Sequence, residues 1–279
     1  MNLSPLPPLL TGKTAEMILN GNLQVSLDLG LSSVNVEYDG VVANFREGSQ
    51  VSREDLELIR KRGSSVFFIE DDKVFQVAVS TNHYYKLVAT EKAPTLEIDG
   101  IRMHRTKDTT PDEDTRTKLQ ALGLKGGRIL DTCNGLGYTA IEAANLGAEF
   151  VVTVERSPPV LLVSRLNPWS RGLYTNDRIH LMIGDSYLLV ESFPDRFYDY
   201  VIHDPPRLTH AGELYGLEFY RRLARVIRVG GGLFHYTGAP GGKYRRRNVQ
   251  KGVISRLRKA GFSGLRYVPE ILGVVGVKS

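Results

Sequence analysis

The chain has 279 residues, 42% of them hydrophobic and 24% charged, which suits one large or two modest globular domains and excludes a disordered chain. A single cysteine, Cys133, excludes an internal disulfide framework, and six scattered histidines offer no metal-ligand spacing. The formal charge of +5 is uneven: the first 110 residues hold slightly more acids than bases, and the basicity lies in the remainder.

The opening MNLSPLPPLL has no basic leader, and the longest late apolar run, Ile271 to Val277, is far shorter than a bilayer span. The expectation is a cytoplasmic protein without a membrane segment. The GKT at Gly12 to Thr14 imitates the end of a phosphate loop, but the required first glycine falls on Pro7 and no strand is expected before it. The pattern predicts a helix over Lys13 to Asn20 and another near Arg53 to Lys61. Around them, alternating segments such as LQVSLDL, SSVNVEYDG and SSVFFIEDDKVFQVAVS read as strands separated by the turns YDG and EDDK. Residues 1–108 are therefore expected to form a small strand-rich α+β domain, with a possible role in substrate binding. MHRTKDTTPDEDT then leads into a helix that starts at Pro111 and runs to Leu122.

From Arg128 onward, short Val- and Ile-rich runs alternate with helical patterns: RILDTC, FVVTVE, IHLMIG, YDYVIHD and GGLFHYTG. Such alternation predicts an α/β fold for 109–279, a Rossmann-like, doubly wound, seven-stranded sheet with helices on both faces. The final pair, FSGLRYVPE and ILGVVGVK, has no helix between its members and is expected to form a terminal antiparallel hairpin. Gly230 to Gly232 are read as the turn from a helix into a strand.

The stretch DTCNGLGYTA matches G-x-G-x-x-A from Gly135 to Ala140, after a strand and before a helix, with Glu155 ending the next strand. A dinucleotide would bring its pyrophosphate to that helix N-terminus, where Asp131 would repel it. S-adenosylmethionine brings a positive sulfonium and ammonium instead, so Asp131 suits that ligand. Gly135 and Gly137 would let the backbone approach the ligand, Glu155 would accept the ribose hydroxyls, and Asp185, with Ser186 beside it, would accept from the adenine amino group. The candidate cofactor-binding set is Asp131, Cys133, Asn134, Gly135, Gly137, Tyr138, Thr139, Glu155, Arg156, Asp185 and Ser186.

On these motifs the region from Arg128 to the end resembles a class I S-adenosylmethionine-dependent methyltransferase. CNGLGYTA, NPWS, HDPPR and AGELYGLEFY together resemble an archaeal-type predicted methyltransferase family. The resemblance implies that Asp204, at the end of YDYVIHD, faces the methyl group. HDPPR is similar to the D/N-P-P-Y/F motif by which amino-methylating enzymes hold a planar exocyclic amine, with Arg207 standing where an aromatic residue would stack on a base. Asp204, Pro205, Pro206 and Arg207 are thus the candidate catalytic set, Asp204 acting as base, as orienter or only as a loop cap. His203 is expected to pack on the opposite face. Cys133 reads as a small packed residue, since a nucleophile would follow a later strand. His235 and Tyr236 could line a pocket or pack within the strand. Asn167, Pro168 and Trp169 shape a cleft edge or end a helix.

The basic run Lys243, Arg245, Arg246 and Arg247 could attract RNA phosphates or form a solvated face. The leading expectation is N-methylation of an RNA such as tRNA. Because LYGLEFYRRLARVIRVGGGLF also resembles spermidine synthases, an aminopropyltransferase using decarboxylated S-adenosylmethionine is the alternative. Methylation of a protein or small amine, and a non-catalytic binding module, stand behind these two.

Overall fold

The computed structural model describes residues 5–45, 48–206, 208, 211–238 and 243–279, with the side chains of 243–248 outside that set. The chain divides into two compact units, one of Met1–Asp112 with Pro159–Thr175 and one of Glu113–Pro158 with Asn176–Ser279.

The first unit is built from small antiparallel sheets and short helices. Leu9–Thr11, Val66–Glu70 and Lys73–Gln76 form one sheet, and Ile101–Arg102, Thr95–Ile98, Tyr84–Val88 and Ala78–Ser80 form another. Helices Gly12–Leu19 and Arg53–Lys61 start at Thr11 and Ser52, whose hydroxyls accept from Thr14 N and Asp55 N. In the second helix Glu54 and Asp55 in the first turn and Arg60 and Lys61 in the last complement the helix dipole. Leu10, Ile18, Val51, Leu56, Ile59 and Ile69 make its core.

Two readings are corrected here. A strand, Leu9–Thr11, does precede Gly12, yet a Cβ at Gly12 would lie 2.5 Å from Gly63 O, so the glycine serves helix-to-loop packing. In LQVSLDL only Gln24–Val25 is a strand, because Asp28 diverts the chain. One of its oxygens accepts from Leu31 N at 3.0 Å and Ser32 N at 2.9 Å, a local turn that competes with a ladder. The excursion Pro159–Thr175 includes Trp169, which donates Nε1 to Leu29 O at 3.1 Å. Asn167 caps the short turn Pro168–Ser170 by accepting from Trp169 N.

The second unit is a mixed α/β fold around a large, mostly parallel sheet, in agreement with the expected class. Its strands are β1 (Gly127–Asp131), β2 (Ala148–Glu155), β3 (Ile179–Ile183), β4 (Tyr198–His203), β5 (Ile227–Tyr236), β6 (Phe262–Val268) and β7 (Gly273–Lys278), in spatial order β3-β2-β1-β4-β5-β7-β6. The first five run parallel, while β7 pairs antiparallel with both β5 and β6. The order reverses direction beside β1, the place where open α/β sheets form a crevice at the carboxyl ends of their strands. Leu130, Val152, Val201 and Leu233 of the strands pack with Phe219, Tyr220, Leu223 and Val226 of helix Leu217–Val226. Each such burial stabilises by about 1.5–3 kcal/mol.

The helix before β5 ends at Val226, and Gly230 to Gly232 lie within β5 and not in a turn. They form an irregularity opposite Tyr198 to Tyr200. A Cβ at Gly231 would stand 2.8 Å from Asp199 O and 2.9 Å from Arg228 O, both backbone atoms that cannot step aside. Gly231→Ala is therefore expected to lower stability by about 1–3 kcal/mol in urea unfolding. Gly212→Ala, where nothing lies within 4 Å, serves as the near-neutral control.

Candidate functional site

The register sets the site. Asp131 of β1 pairs with Ile202 of β4 and with Thr153 of β2, so the loop after β1, the end of β2 and the turn after β4 open on the same edge of the sheet. The loop tightens through Gly135 and Gly137, at φ of +56° and +82°, where any other residue would be strained. A Cβ at Gly135 would meet nothing within 4 Å, so its backbone faces open space where a ligand could approach.

Asp131 has no exposed surface. One carboxylate oxygen accepts from Thr153 Oγ1 at 2.8 Å and the other from Cys133 N at 3.4 Å. Burial, aided by the charges of Asp204 and Glu155, pushes its pKa up to about 7. Thr153 Oγ1 also lies 3.1 Å from Asn134 Oδ1. A deprotonated Asp131 takes the threonine proton; a protonated one can donate to Thr153 and free that proton for Asn134. Asn134 Nδ2 in turn donates to Gly135 O at 2.7 Å.

Glu155 clamps the loop from β2, with Oε2 accepting from Gly135 N at 2.9 Å and Oε1 from Ser157 N at 2.8 Å. Burial raises its pKa despite these bonds. Each oxygen keeps a lone pair for a further donor. Burial beside Asp131, Glu155 and Asp204 also pushes the Cys133 thiol well up, so it is a protonated, unreactive group packed against the core.

Other members of the expected set face inward. Tyr138 and Thr139 are buried in the first turn of helix Tyr138–Asn145, and the Ser186 hydroxyl donates to Thr132 O. Asp185 Oδ1 caps helix Ser186–Leu189 by accepting from Tyr187 N at 2.9 Å, while Oδ2 lies 3.6 Å from Arg156 Nη1. Arg156 also approaches Glu213, at 4.0 Å.

At the end of β4, His203 is fully buried, as the alternation of the strand predicts. Its Nε2 faces Leu214 O at 2.9 Å, an acceptor only, so that nitrogen carries the hydrogen and Nδ1 accepts from Thr132 Oγ1 at 2.7 Å. Burial pulls its pKa down to about 4, which removes it from acid–base work at neutral pH. His235 of β5 is equally buried, between Tyr220 Oη at 2.7 Å and Tyr236 O at 2.8 Å. Pro205 is buried and Pro206 exposed, and Tyr215 Oη donates to Pro206 O at 3.0 Å, which fixes the turn.

Asp204 is held by a residue the motifs did not point to. Lys118, on helix Pro111–Leu122, places Nζ 2.7 Å from Asp204 Oδ2 and 2.8 Å from Asp114 Oδ2, and is itself 7% exposed. The two carboxylates outweigh burial and raise its pKa, so it stays charged. The only hint in the sequence is the i, i+4 spacing of Asp114 and Lys118.

Arg207 and the side chains of Lys243, Arg245, Arg246 and Arg247 lie outside the described residues. Among the described residues no cluster of His, Cys, Asp and Glu could hold a metal ion, and no helix is long and apolar enough to cross a membrane.

No protein-family model matches the chain. It is 47% identical over 277 residues to the uncharacterized protein MJ1233 of Methanocaldococcus jannaschii, covering 96% of this chain and 95% of that one. The chain belongs to that protein's family. More distant relatives are enzymes. A polyamine aminopropyltransferase of Sulfolobus acidocaldarius is 28% identical over 53% of this chain and 51% of its own length. The ribosomal RNA large subunit methyltransferase I of Photobacterium profundum is 28% identical over 52% of this chain and 40% of its own. The chain thus spans about half the length of these enzymes or less. Among solved structures, a spermidine synthase in complex with the transition state analogue AdoDATO superposes with a TM-score of 0.60 at 20% identity, over 72% of each chain, and the two share a fold.

The buried Asp131 carboxylate has a measurable signature. A carboxylate whose folded pKa is raised contributes stability that is fully present below its unfolded value near 4 and is lost as pH rises through about 7. Asp131→Asn is therefore expected to gain stability over the wild type as pH goes from 5 to 8, by on the order of 2 kcal/mol. Urea unfolding at the two pH values measures it; a gap that does not widen contradicts the burial assigned to this group.

Proposed function

We propose that this protein is an S-adenosylmethionine-dependent methyltransferase that acts on a nitrogen, with RNA as its substrate class. The observation that carries the reading is the register of β1 against β4, which sets the glycine loop and the Asp204-Pro205-Pro206 turn side by side. A cofactor on the loop would then present its reactive end to the turn.

The residues fit that cofactor by charge. Asp131, Glu155 and Asp204 lie close enough to raise the Cys133 pKa together, and such a field favours a sulfonium and penalises a pyrophosphate. Glu155 has lone pairs for ribose hydroxyls, and Asp185 stands at the end of β3 for the adenine edge. S-adenosylmethionine would supply a methyl group already activated by its positive sulfur. The chain's part is orientation: Asp204 and the carbonyl of Pro205 would accept from an amino group and aim its lone pair. His203, neutral and buried, does not act as a base at the turn.

RNA as acceptor is supported by the basic run Lys243 to Arg247 and by the ribosomal RNA methyltransferase among the distant relatives. A second reading, aminopropyl transfer from decarboxylated S-adenosylmethionine, is favoured by the aminopropyltransferase relative and the shared spermidine synthase fold. The loop CNGLG, however, lacks the GGGDG pattern of the synthases it resembles.

Thermal shift with the two nucleosides separates the readings. We expect stabilisation by S-adenosylmethionine over its decarboxylated form; the reverse order overturns methyl transfer. Incubation with methyl-labelled cofactor and extract of a deletion strain is expected to label RNA, with labelling cut at least about a hundredfold in Asp204→Ala. Label in protein or small molecules, or tRNA binding that is absent or independent of salt, removes RNA from the reading.

A further inference from the structure

We propose that Lys118 is a specificity-determining residue: its ammonium, lodged between Asp114 and Asp204 beside the turn after β4, turns away acceptors that arrive as alkylammonium ions and admits neutral, planar amines. The proposal rests on the methyl-transfer reading above and names the acceptor's charge class.

Three observations converge on it. First, the ammonium is fixed. Asp114, one helical turn away and buried, holds Nζ at 2.8 Å, and the rings of Tyr236 and Phe234 lie 4.7 and 5.9 Å from it, leaving little room to swing aside. Secondly, it contacts the carboxylate that would receive the acceptor, at 2.7 Å from Asp204 Oδ2. An acceptor ammonium at Asp204 would therefore meet a second ammonium within a few ångströms, and like-charge juxtaposition of this kind costs several kcal/mol. Thirdly, other acids at this edge of the sheet are engaged. Asp185 and Glu213 both approach Arg156, and Glu155 holds Gly135 N and Ser157 N.

Alkylamines, with pKa values near 10.4, are almost wholly protonated at neutral pH. At Asp204 they would meet the Lys118 ammonium, and they would still need a base to release their lone pair. An exocyclic or aryl amine has its lone pair available on arrival. As its nitrogen bonds to the methyl carbon, the electrons of the carbon–sulfur bond return to sulfur, and the acidic proton of the product nitrogen leaves to water. The device is repulsive: it excludes a competing class more than it holds the correct one.

Calorimetric titration with spermidine tests it without turnover. Wild type is expected to show no saturable binding below millimolar concentrations. Lys118→Gln should gain affinity at least about tenfold, Lys118→Arg should not, and adding Asp204→Asn to Lys118→Gln should abolish the gain. Because Lys118→Gln leaves two carboxylates facing each other, which destabilises the fold, Asp114→Asn/Lys118→Gln is measured beside it, with the same gain expected. Saturable micromolar binding by wild type overturns the proposal, as does unchanged affinity in a folded variant lacking Lys118. If neither variant folds, the wild-type titration decides. Titration of the wild-type protein with S-adenosylmethionine reports separately on the underlying reading: no binding there sinks methyl transfer whatever spermidine does.

Discussion

A carboxylate with no exposed surface sits at the end of β1, and among the described residues no cation is paired with it; its partners are the Thr153 hydroxyl and the Cys133 amide. Keeping a charge there costs several kcal/mol unless something compensates it. The protein answers partly with hydrogen bonds and partly by letting the group hold a proton up to about pH 7. The surrounding loop is organised by the same group. Thr153 and Asn134 connect Asp131 to the carbonyl of Gly135, and Glu155 takes the amide of that glycine. A loop held from both strands in this way presents an electronegative mouth whose best complement is a positive ligand.

Thr132, the next residue, links that mouth to the rest of the edge. Its carbonyl accepts from Ser186 after β3, and its hydroxyl donates to His203 at the end of β4. His203 then donates to Leu214 O, next to Tyr215, whose hydroxyl holds the carbonyl of Pro206. A chain of short polar contacts therefore runs from the glycine loop to the turn that carries Asp204. Neutral histidine suits this role, because a buried imidazolium would need a counter-charge the cluster does not offer. Lys118 adds close ion pairs to Asp204 and Asp114 and sets the local charge at Asp204.

Much of the second unit was legible in the sequence because its signals are local. Short Val- and Ile-rich strand runs, the hairpin without an intervening helix, and a G-x-G turn after a strand each depend on adjacent residues. The inward placing of His203 followed from strand alternation alone. Lys118 was not legible: a lysine in a polar helix reads as solvated, and its partner lies 86 residues away. The inward roles of Asn134 and Ser186 escaped for a related reason, since a motif marks a loop without saying which side chains brace it. In the first unit, strands of two to five residues leave too little alternation to count. Side-chain turns such as that at Asp28 override the pattern where it exists. The placing of Gly230 to Gly232 in a strand instead of a turn came from crowding against Asp199 and Tyr200, which no local pattern reports.

The central claim, that the buried Asp131 carboxylate waits for a positive ligand, is tested most directly by calorimetry of S-adenosylmethionine binding at pH 7 in buffers of different ionisation enthalpy. A cation that favours the ionised carboxylate must expel the proton Asp131 holds near neutrality, so the account predicts net proton release that is absent in Asp131→Asn. Binding with no proton release, or tight binding of NAD in place of the sulfonium nucleoside, would contradict it.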